Sequence, residues 1–272
     1  MISGIVRRAV LVVLGLFWLA PVYLLVVNAI RPASAYTGED VWKPAAGFGL
    51  FRNFATAWNA AELGPSIGST VLYAVVSPAL GVLIGALAAY AIVVLRLRHG
   101  FGWFMLIYGG TIFPSQMLLI PLFLGYSDTR LYDNRFGMIL VYTTVSVPLA
   151  AFVLRNFFSG VAYEMFEAAR IDGSTAWTAF WRIYLPLAVP ALAAVYILDF
   201  TFVWNDLMFG LTLSQDQTVR PIQTALSSLN SAYAGAAVPT VLAAGLIVSL
   251  PTVALFLATQ RFFARGLTLG QN

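Results

Sequence analysis

The sequence predicts an all-α integral membrane protein: six transmembrane helices in a single domain over residues 1–272, with a helix–turn–helix loop between the fourth and fifth. Three observations predict it. Of the 272 residues, 60% are hydrophobic and only 10% are charged, too little polar surface for a water-soluble domain. The apolar residues fall in runs long enough to cross a bilayer, which takes about 20 helical residues each. A polar interruption at 162–186 is flanked by two such runs and carries a helical pattern of its own.

The first run, 9–30, follows Arg7 and Arg8, and the Ala33-Ser34-Ala35 after it looks like a signal-peptidase site. The apolar stretch is longer than the ~7–15 residues of a signal core, so an uncleaved first helix is expected. Residues 31–69 form a long connection holding Trp42, Phe48, Phe51, Phe54 and Trp58. Such aromatics suit a segment packed at a membrane surface better than a free linker. Runs 70–95 and 102–124 follow, separated by a short basic turn. That turn contains His99, the only histidine, read as a solvated loop residue in preference to a metal ligand. The remaining runs are 137–157, 187–213 and 240–262. Gly81, Gly85, Pro114, Pro121, Pro148 and Pro190 fall inside runs. Membrane helices tolerate them because neighbours or water satisfy the freed backbone groups. Ordinary packing is the expected role, and a proline kink that opens a cavity is the alternative. The chain has no cysteine, hence no disulfide, Cys-based metal site or lipoprotein anchor. The net charge of +4 is small and dispersed and gives no case for nucleic acid.

Charge sets the orientation. With both termini in the cytoplasm, the inner segments hold Arg7, Arg8, Arg96, Arg98, Arg155, Arg170, Arg182, Arg261 and Arg265. The outer ones hold Arg31, Lys43, Arg52, Arg130, Arg135 and Arg220. Half of the outer cations lie in one long loop, while the inner ones crowd the span ends, where the positive-inside bias acts most strongly. The loop at 162–186 is therefore expected in the cytoplasm.

Within that loop, residues 163–170 contain good helix formers. Asp172-Gly173 supplies a turn, since glycine takes positive φ freely past a helix end. Ser174 is the expected N-cap of a second helix over 175–184. Met165, Phe166, Trp177, Phe180, Trp181 and Tyr184 are too many large apolar groups to leave in water. Some must lie against the membrane helices, and the remainder suit a short helix seated in a partner's groove. Glu167 and Arg170, three apart on one face, can pair with each other.

The spacing Glu-Ala-Ala, three residues, Gly, nine residues, Ile-x-Leu-Pro resembles the coupling loop of ATP-binding-cassette (ABC) importer permeases. Glu167, Ala168, Ala169, Gly173, Ile183, Leu185 and Pro186 match it at every position, with Asp172 before the glycine. Ile171-Asp172-Gly173, Leu187 and Pro190 are similar to the carbohydrate-uptake branch, in its maltose-type second permease subunit. The likeness covers nearly the whole chain: Asn53-Phe54 with Trp58, Ser69-Thr70 through Ala88-Ala89-Tyr90, Phe113-Pro114 through Ile120-Pro121-Leu122, Trp204-Asn205-Asp206, and Leu250-Pro251 through Gly266-Leu267-Thr268. The chain departs from the pattern at Ala162, where the family has proline, in its tail, which lacks the basic, Gly-terminated end, and in the highly charged segment 128–135.

The resemblance implies a sugar importer permease forming half of a translocation path by alternating access. It implies a second, homologous permease in a heterodimer, two copies of an ATPase, and a periplasmic or lipid-anchored solute-binding protein, in a bacterial inner membrane. No G-x-x-x-x-G-K-[ST] motif is present, and the sole lysine, Lys43, lies between Trp42 and Pro44. No Walker lysine is therefore available. The chain is expected to bind no cofactor and not to act as an enzyme, with ATP and Mg2+ held on the partner ATPase. Import of glycerol-phosphate, polyol or another solute is the alternative within the same machinery.

Asp199, Trp204, Asn205 and Asp206 are the candidate pathway residues. Intramembrane acids are costly and face a cavity or a partner. If the fifth span is one continuous helix, Asp199 and Asp206 share a face, two turns apart. They can line a sugar path, join helices in a hydrogen-bond network, or carry protons in a secondary transporter, the reading from a different class. Trp204 can stack on a sugar ring or serve in packing.

Overall fold

A computed structural model describes residues 2–229 and 237–268, and the described residues are almost entirely helical, with no strand among them. They form two compact units. One comprises Met1–Gly64 with Ala225–Pro251, and the other Pro65–Thr224 with Thr252–Asn272. The tail at 269–272, and all side chains from 260 onward including Arg261 and Arg265, lie outside the described residues.

The first unit contains α1 (Ile2–Ile30), α2 (Leu50–Ala60), the first residues of α3 (Leu63–Val93) and the first part of α13 (Val238–Thr268). Apolar side chains of α1 are exposed over most of its length and become buried only at Asn28 and Ala29. There the chain folds back on itself. Arg31 donates through its guanidinium to the carbonyls of Asp40 and Lys43, 2.8 Å each. Buried Asn53, on α2, donates to the carbonyls of Ala29 and Arg31 at 3.0 and 2.8 Å, satisfying groups that the end of α1 would otherwise orphan. Gly49 has no room for a side chain, because a Cβ would lie 2.7 Å from Cα of Pro32. Asn53 and Ala57 thus face inward on α2 while Phe51 is exposed, so the 31–60 connection is an ordered cap with an amphipathic helix. Asp40 pairs with Lys43, whose hydrogen bond and charge hold its carboxyl below the usual range.

The second unit is built on the rest of α3 and on α6 (Arg135–Ser159), which Asn134 opens by accepting the N–H of Phe136. These helices approach closely. A Cβ on Gly81 would meet the Cβ of Ser146 at 2.5 Å, and one on Gly85 the Cβ of Ala150 at 2.5 Å. Gly81 and Gly85 are four apart, as are Ser146 and Ala150, so each helix presents small residues at the contact. The expected packing role of the two glycines is what the structure contains.

Two apolar runs bend. The third is α4 (Gly100–Gly109) with a 3-10 turn, Gly110–Ile112, followed by α5 (Ser115–Asp128), bent by 96°. The cause lies at Phe113-Pro114. A residue before proline is pushed out of the helical region, and Phe113 has ψ 125°. The fifth, expected over 187–213, continues from the polar loop and ends early: α8 (Ala176–Ala179), a π-turn over Phe180–Tyr184 and α9 (Leu185–Leu187) lead into α10 (Val189–Asn205), with a 74° bend around Ala188. It is followed by α11 (Met208–Leu213) and α12 (Ile222–Ser228). Among the described residues, four helices are long and apolar enough to span a membrane, or up to six if each bent pair is one span.

The highly charged 128–135 segment finds its partners at 215–219. The Asp133 carboxylate accepts the N–H groups of Gln215 and Asp216 at 2.8 and 2.9 Å. Arg135 donates to the carbonyl of Thr218, as does the hydroxyl of Ser69. Tyr73 donates to the carbonyl of Val219 at 2.7 Å. Asp216 accepts from the hydroxyl and N–H of Thr218, which lowers its pKa.

Candidate functional site

The 162–186 loop is a helical hairpin. Its first arm is α7 (Glu164–Ile171). The arm ends because Gly173 turns left-handed, φ +82°, with the N–H of Gly173 bonded to the carbonyl of Arg170 and that of Ser174 to the carbonyl of Ala169. This pair of bonds is the Schellman closure, which places glycine where side chains are strained. Arg170 closes the turn further, donating to the carbonyl of Ser174 at 2.9 Å. It makes no pair with Glu167: among the described residues the ion pair found is Lys43 with Asp40. The second arm starts one residue later than the sequence suggests. Thr175, not Ser174, is the N-cap and accepts the N–H of Thr178.

Helical spacing sorts the motif. Glu167, Ala168 and Ile171 lie on the exposed side of α7, and Ile171 is 86% exposed. Ala169 is buried, and Asp172 and Gly173 sit exposed at the tip. The aromatics divide as the sequence requires. Phe180 and Tyr184 are buried with Phe158 and Tyr90, whereas Trp177 (61% exposed), Trp181 and Met165 face outward. Tyr90, at the end of α3, is the pin. Its ring lies 5.2 Å from those of both Phe180 and Tyr184 and 6.3 Å from that of Phe158. Its hydroxyl donates to the carbonyl of Ala176 at 2.9 Å. Ile183 and Leu185 pack half-buried on the same core. Pro186 has no N–H and its ring excludes a carbonyl four residues back. The wider π-turn over Phe180–Tyr184 places that clash at a widened turn, the kind of local rewinding that recurs at functional positions.

The second cluster lies at the far end of α10. The helix stops at Asn205, so Asp206 is extended (ψ 132°) and does not share a helical face with Asp199. That corrects the two-turn argument, which assumed a continuous helix. Asp206 is buried and accepts the Tyr142 hydroxyl at 2.9 Å and the N–H groups of Gly210 and Phe209 at 3.2 and 3.5 Å. It therefore caps α11 and ties it to α6. Gly210 is required beside it, since a Cβ would stand 3.0 Å from Pro221. Trp204 is buried and stacks on Phe200, with centroids 5.7 Å apart. Asn205 is exposed, donating to the carbonyl of Thr201 and accepting from Gln223. Asp199 is 4% exposed, and its Oδ2 has no hydrogen-bond partner among the described residues.

Reading the sequence singled out the motif residues but not the pin. Tyr90 entered only through a family likeness, and Phe158 not at all. Its one local sign was position, the last aromatic before the basic turn at 95–99.

Long apolar helices, two bent helix pairs and a hairpin pinned to a span end define a polytopic membrane protein. The chain belongs to the family of binding-protein-dependent transport system inner membrane components, whose pattern matches residues 81–268. It is 31% identical over 251 residues to the melibiose/raffinose/stachyose import permease protein MelC of Bacillus subtilis (strain 168), covering 92% of this chain and 90% of the relative. It is also 31% identical over 235 residues to the sn-glycerol-3-phosphate transport system permease protein UgpE of Yersinia enterocolitica, covering 80% and 79%. Among solved structures it resembles a chain of a bacterial ABC transporter involved in the import of the acidic polysaccharide alginate, with a TM-score of 0.81, 25% identity and 96% of each chain covered. The chain is therefore a multi-pass inner-membrane permease subunit of an ABC importer. It is a transporter component and not an enzyme, and it works with a separate ATPase and a solute-binding protein.

Proposed function

We propose that this permease imports sugars, mono- or oligosaccharides, and is driven through the hairpin at 162–186. The observation that carries the driving role is the division of the hairpin. One side is pinned to α3 and α6 through Tyr90, Phe180 and Tyr184, so its motion and that of the spans are one. The other side presents Glu167, Ala168, Ile171, Asp172 and Trp177 to an outside partner. An apolar, helical tip of this kind fits a groove on a second protein. In this reading the hairpin and both termini face the cytoplasm. Two copies of the ATPase hold ATP and Mg2+, and a homologous second permease supplies the other half of the path in a heterodimer. The solute-binding protein delivers from the opposite face. Nucleotide-driven closure of the ATPases moves the hairpins, and rigid-body rocking of the spans exposes the path alternately to each side. Of the pathway candidates, Asn205 is the one whose side chain is exposed. Trp204 and Asp206 serve to hold α10 and α11, and the Asp199 Oδ2 has no hydrogen-bond partner among the described residues.

The sugar class is supported by the relative named for melibiose, raffinose and stachyose. Glycerol-phosphate import is the second reading, favoured by an equally identical relative named for that solute. Reconstituting the chain with its ATPase and solute-binding protein, and comparing uptake of labelled raffinose and sn-glycerol 3-phosphate, separates the two. Uptake of only the phosphate ester would overturn the sugar reading.

A further inference from the structure

A cavity of about 280 Å³ lies where α3 and α6 both end, at Val93 and Ser159. It is lined by Val94, Arg96, Phe158, Ser159, Tyr163 and Tyr184 among others. Three of these carry donors without a hydrogen-bond partner among the described residues. The Arg96 guanidinium lies over the Tyr163 ring, its Cζ 3.6 Å from the centroid, and pairs with no carboxylate among the described residues. A cation held on a ring face keeps its N–H edge available for an anion. The Tyr163 and Tyr184 hydroxyls are likewise uncommitted, although Tyr184 is only 1% exposed. The Ser159 hydroxyl is engaged, donating to the carbonyl of Arg155.

Arg96 is held there at a conformational cost. It is left-handed, φ +51°, as is His99 at +60° in the same turn, a region that side chains other than Gly, Asn and Asp enter rarely. An arginine laid over a tyrosine ring in a strained turn, beside the hydroxyl of a second, largely buried tyrosine, supplies the donor set that an anion needs. Its position indicates which anion. Both helices that end at the cavity are long and apolar enough to span a membrane, so their ends lie at headgroup depth. Beyond the cavity, Leu95, Leu97, Phe101, Trp103 and Leu106 are exposed along the next turn and α4, a surface suited to acyl chains and to the aromatic belt of the interface. Arg155, one turn before Ser159, stacks over Phe104 of α4 at 4.6 Å and adds a second cation at this depth. Basic pockets between span ends are the sites that take acidic headgroups.

We propose that this cavity binds the phosphate of an anionic phospholipid, with Arg96 as its charge partner and Tyr163 and Tyr184 as neutral donors. The site rests on the membrane placement of α3 and α6 and not on the driving role of the hairpin. Because Tyr184 belongs both to the cavity and to the core that pins the hairpin, an occupied site would also brace the hairpin's root.

The test uses the complete complex in nanodiscs of phosphatidylcholine, titrated with phosphatidylglycerol, with bound lipid counted by native mass spectrometry. Arg96→Asn removes the cation while keeping a residue that tolerates positive φ. Arg130→Asn is the matched control, since Arg130 is also left-handed (φ +60°) and does not line the cavity. Tyr184→Phe removes one donor and keeps the ring. The expected result is saturable binding of phosphatidylglycerol, weakened about tenfold by Arg96→Asn and severalfold by Tyr184→Phe, and unchanged by Arg130→Asn. Equal weakening by Arg130→Asn would overturn the proposal, as would unchanged binding in both cavity variants. Displacement by millimolar inorganic phosphate would assign the cradle to a soluble anion. Loss of the ATPase from the Arg96→Asn complex with lipid binding intact would assign it to a protein contact. Either outcome refutes the lipid site, and uptake measured on the same samples tests the transport reading separately.

Discussion

The pin at Tyr90 yields the most demanding prediction about how the hairpin is driven. Removing its hydroxyl in Tyr90→Phe deletes the bond to the carbonyl of Ala176 and leaves the three ring contacts, a net loss of about 0.5–1.5 kcal/mol. Tyr90→Ala removes the ring as well, from a core in which Phe158, Phe180 and Tyr184 are buried around it. Truncating a buried aromatic to alanine costs about 3–5 kcal/mol. At 1.4 kcal/mol per tenfold, this shifts the docked-to-undocked ratio of the hairpin by roughly 100- to 4,000-fold. The phenylalanine variant shifts it by at most about tenfold. Trypsin cleavage at the exposed Arg170 and Arg182 reads docking. Solute transported per ATP hydrolysed, in proteoliposomes of the whole complex, reads coupling. Tyr90→Phe should stay near wild type in both. Tyr90→Ala should insert, gain cleavage in the hairpin, and hydrolyse ATP with little transport. A Tyr90→Ala complex that cleaves faster yet transports a normal amount per ATP would refute the idea that the pinned core transmits motion.

Gly173→Val should also uncouple transport while the protein still inserts. Space is open around the Cβ position, but φ +82° costs a side chain about 1–2 kcal/mol, and Gly173→Asn should fall between the two in a thermal-melt and coupling assay. Gly85→Leu places its Cβ 2.5 Å from that of Ala150; overpacking of this kind costs about 1–3 kcal/mol. The variant should lower complex yield and melting temperature, while Gly102→Leu, with nothing within 4 Å, should not. Asp206→Asn keeps the shape of the α11 cap and should retain uptake with a stability loss of about 1–2 kcal/mol, the margin of a charge-assisted bond over a neutral one. Complete loss of uptake with intact assembly would instead point to an essential charge.

Much of the architecture was legible because it follows from composition and periodicity. Apolar runs locate the spans, and the hairpin follows from Gly173 and the aromatic surplus, although its second cap was read as Ser174 and is Thr175. The bends were legible only as an alternative. Pro114 carried the option of a kink, and Phe113-Pro114 does break the helix; the break at Ala188, at the start of the fifth run, left no mark in hydropathy, which does not register backbone geometry. The same blindness misplaced Asp206, because a two-turn spacing has meaning only while the helix continues. Asp133 and Arg135 were puzzling charges in the sequence, since their partners lie about eighty residues away at 215–218. Tyr90 escaped for a related reason. Its importance comes from Phe158, Phe180 and Tyr184, brought to it by the fold and by no local pattern.

The central claim is that the exposed face of α7 is where the ATPase engages. The chain contains no cysteine, so a single one can be introduced cleanly. Ala168→Cys places it on the exposed side of α7, and Asp128→Cys, at the end of α5, serves as the reference. Crosslinking each within the assembled, transporting complex is the direct measurement. The account predicts a nucleotide-sensitive adduct with the ATPase from position 168 and none from 128. An adduct from 128, or none from 168 in a complex that still transports, would contradict it.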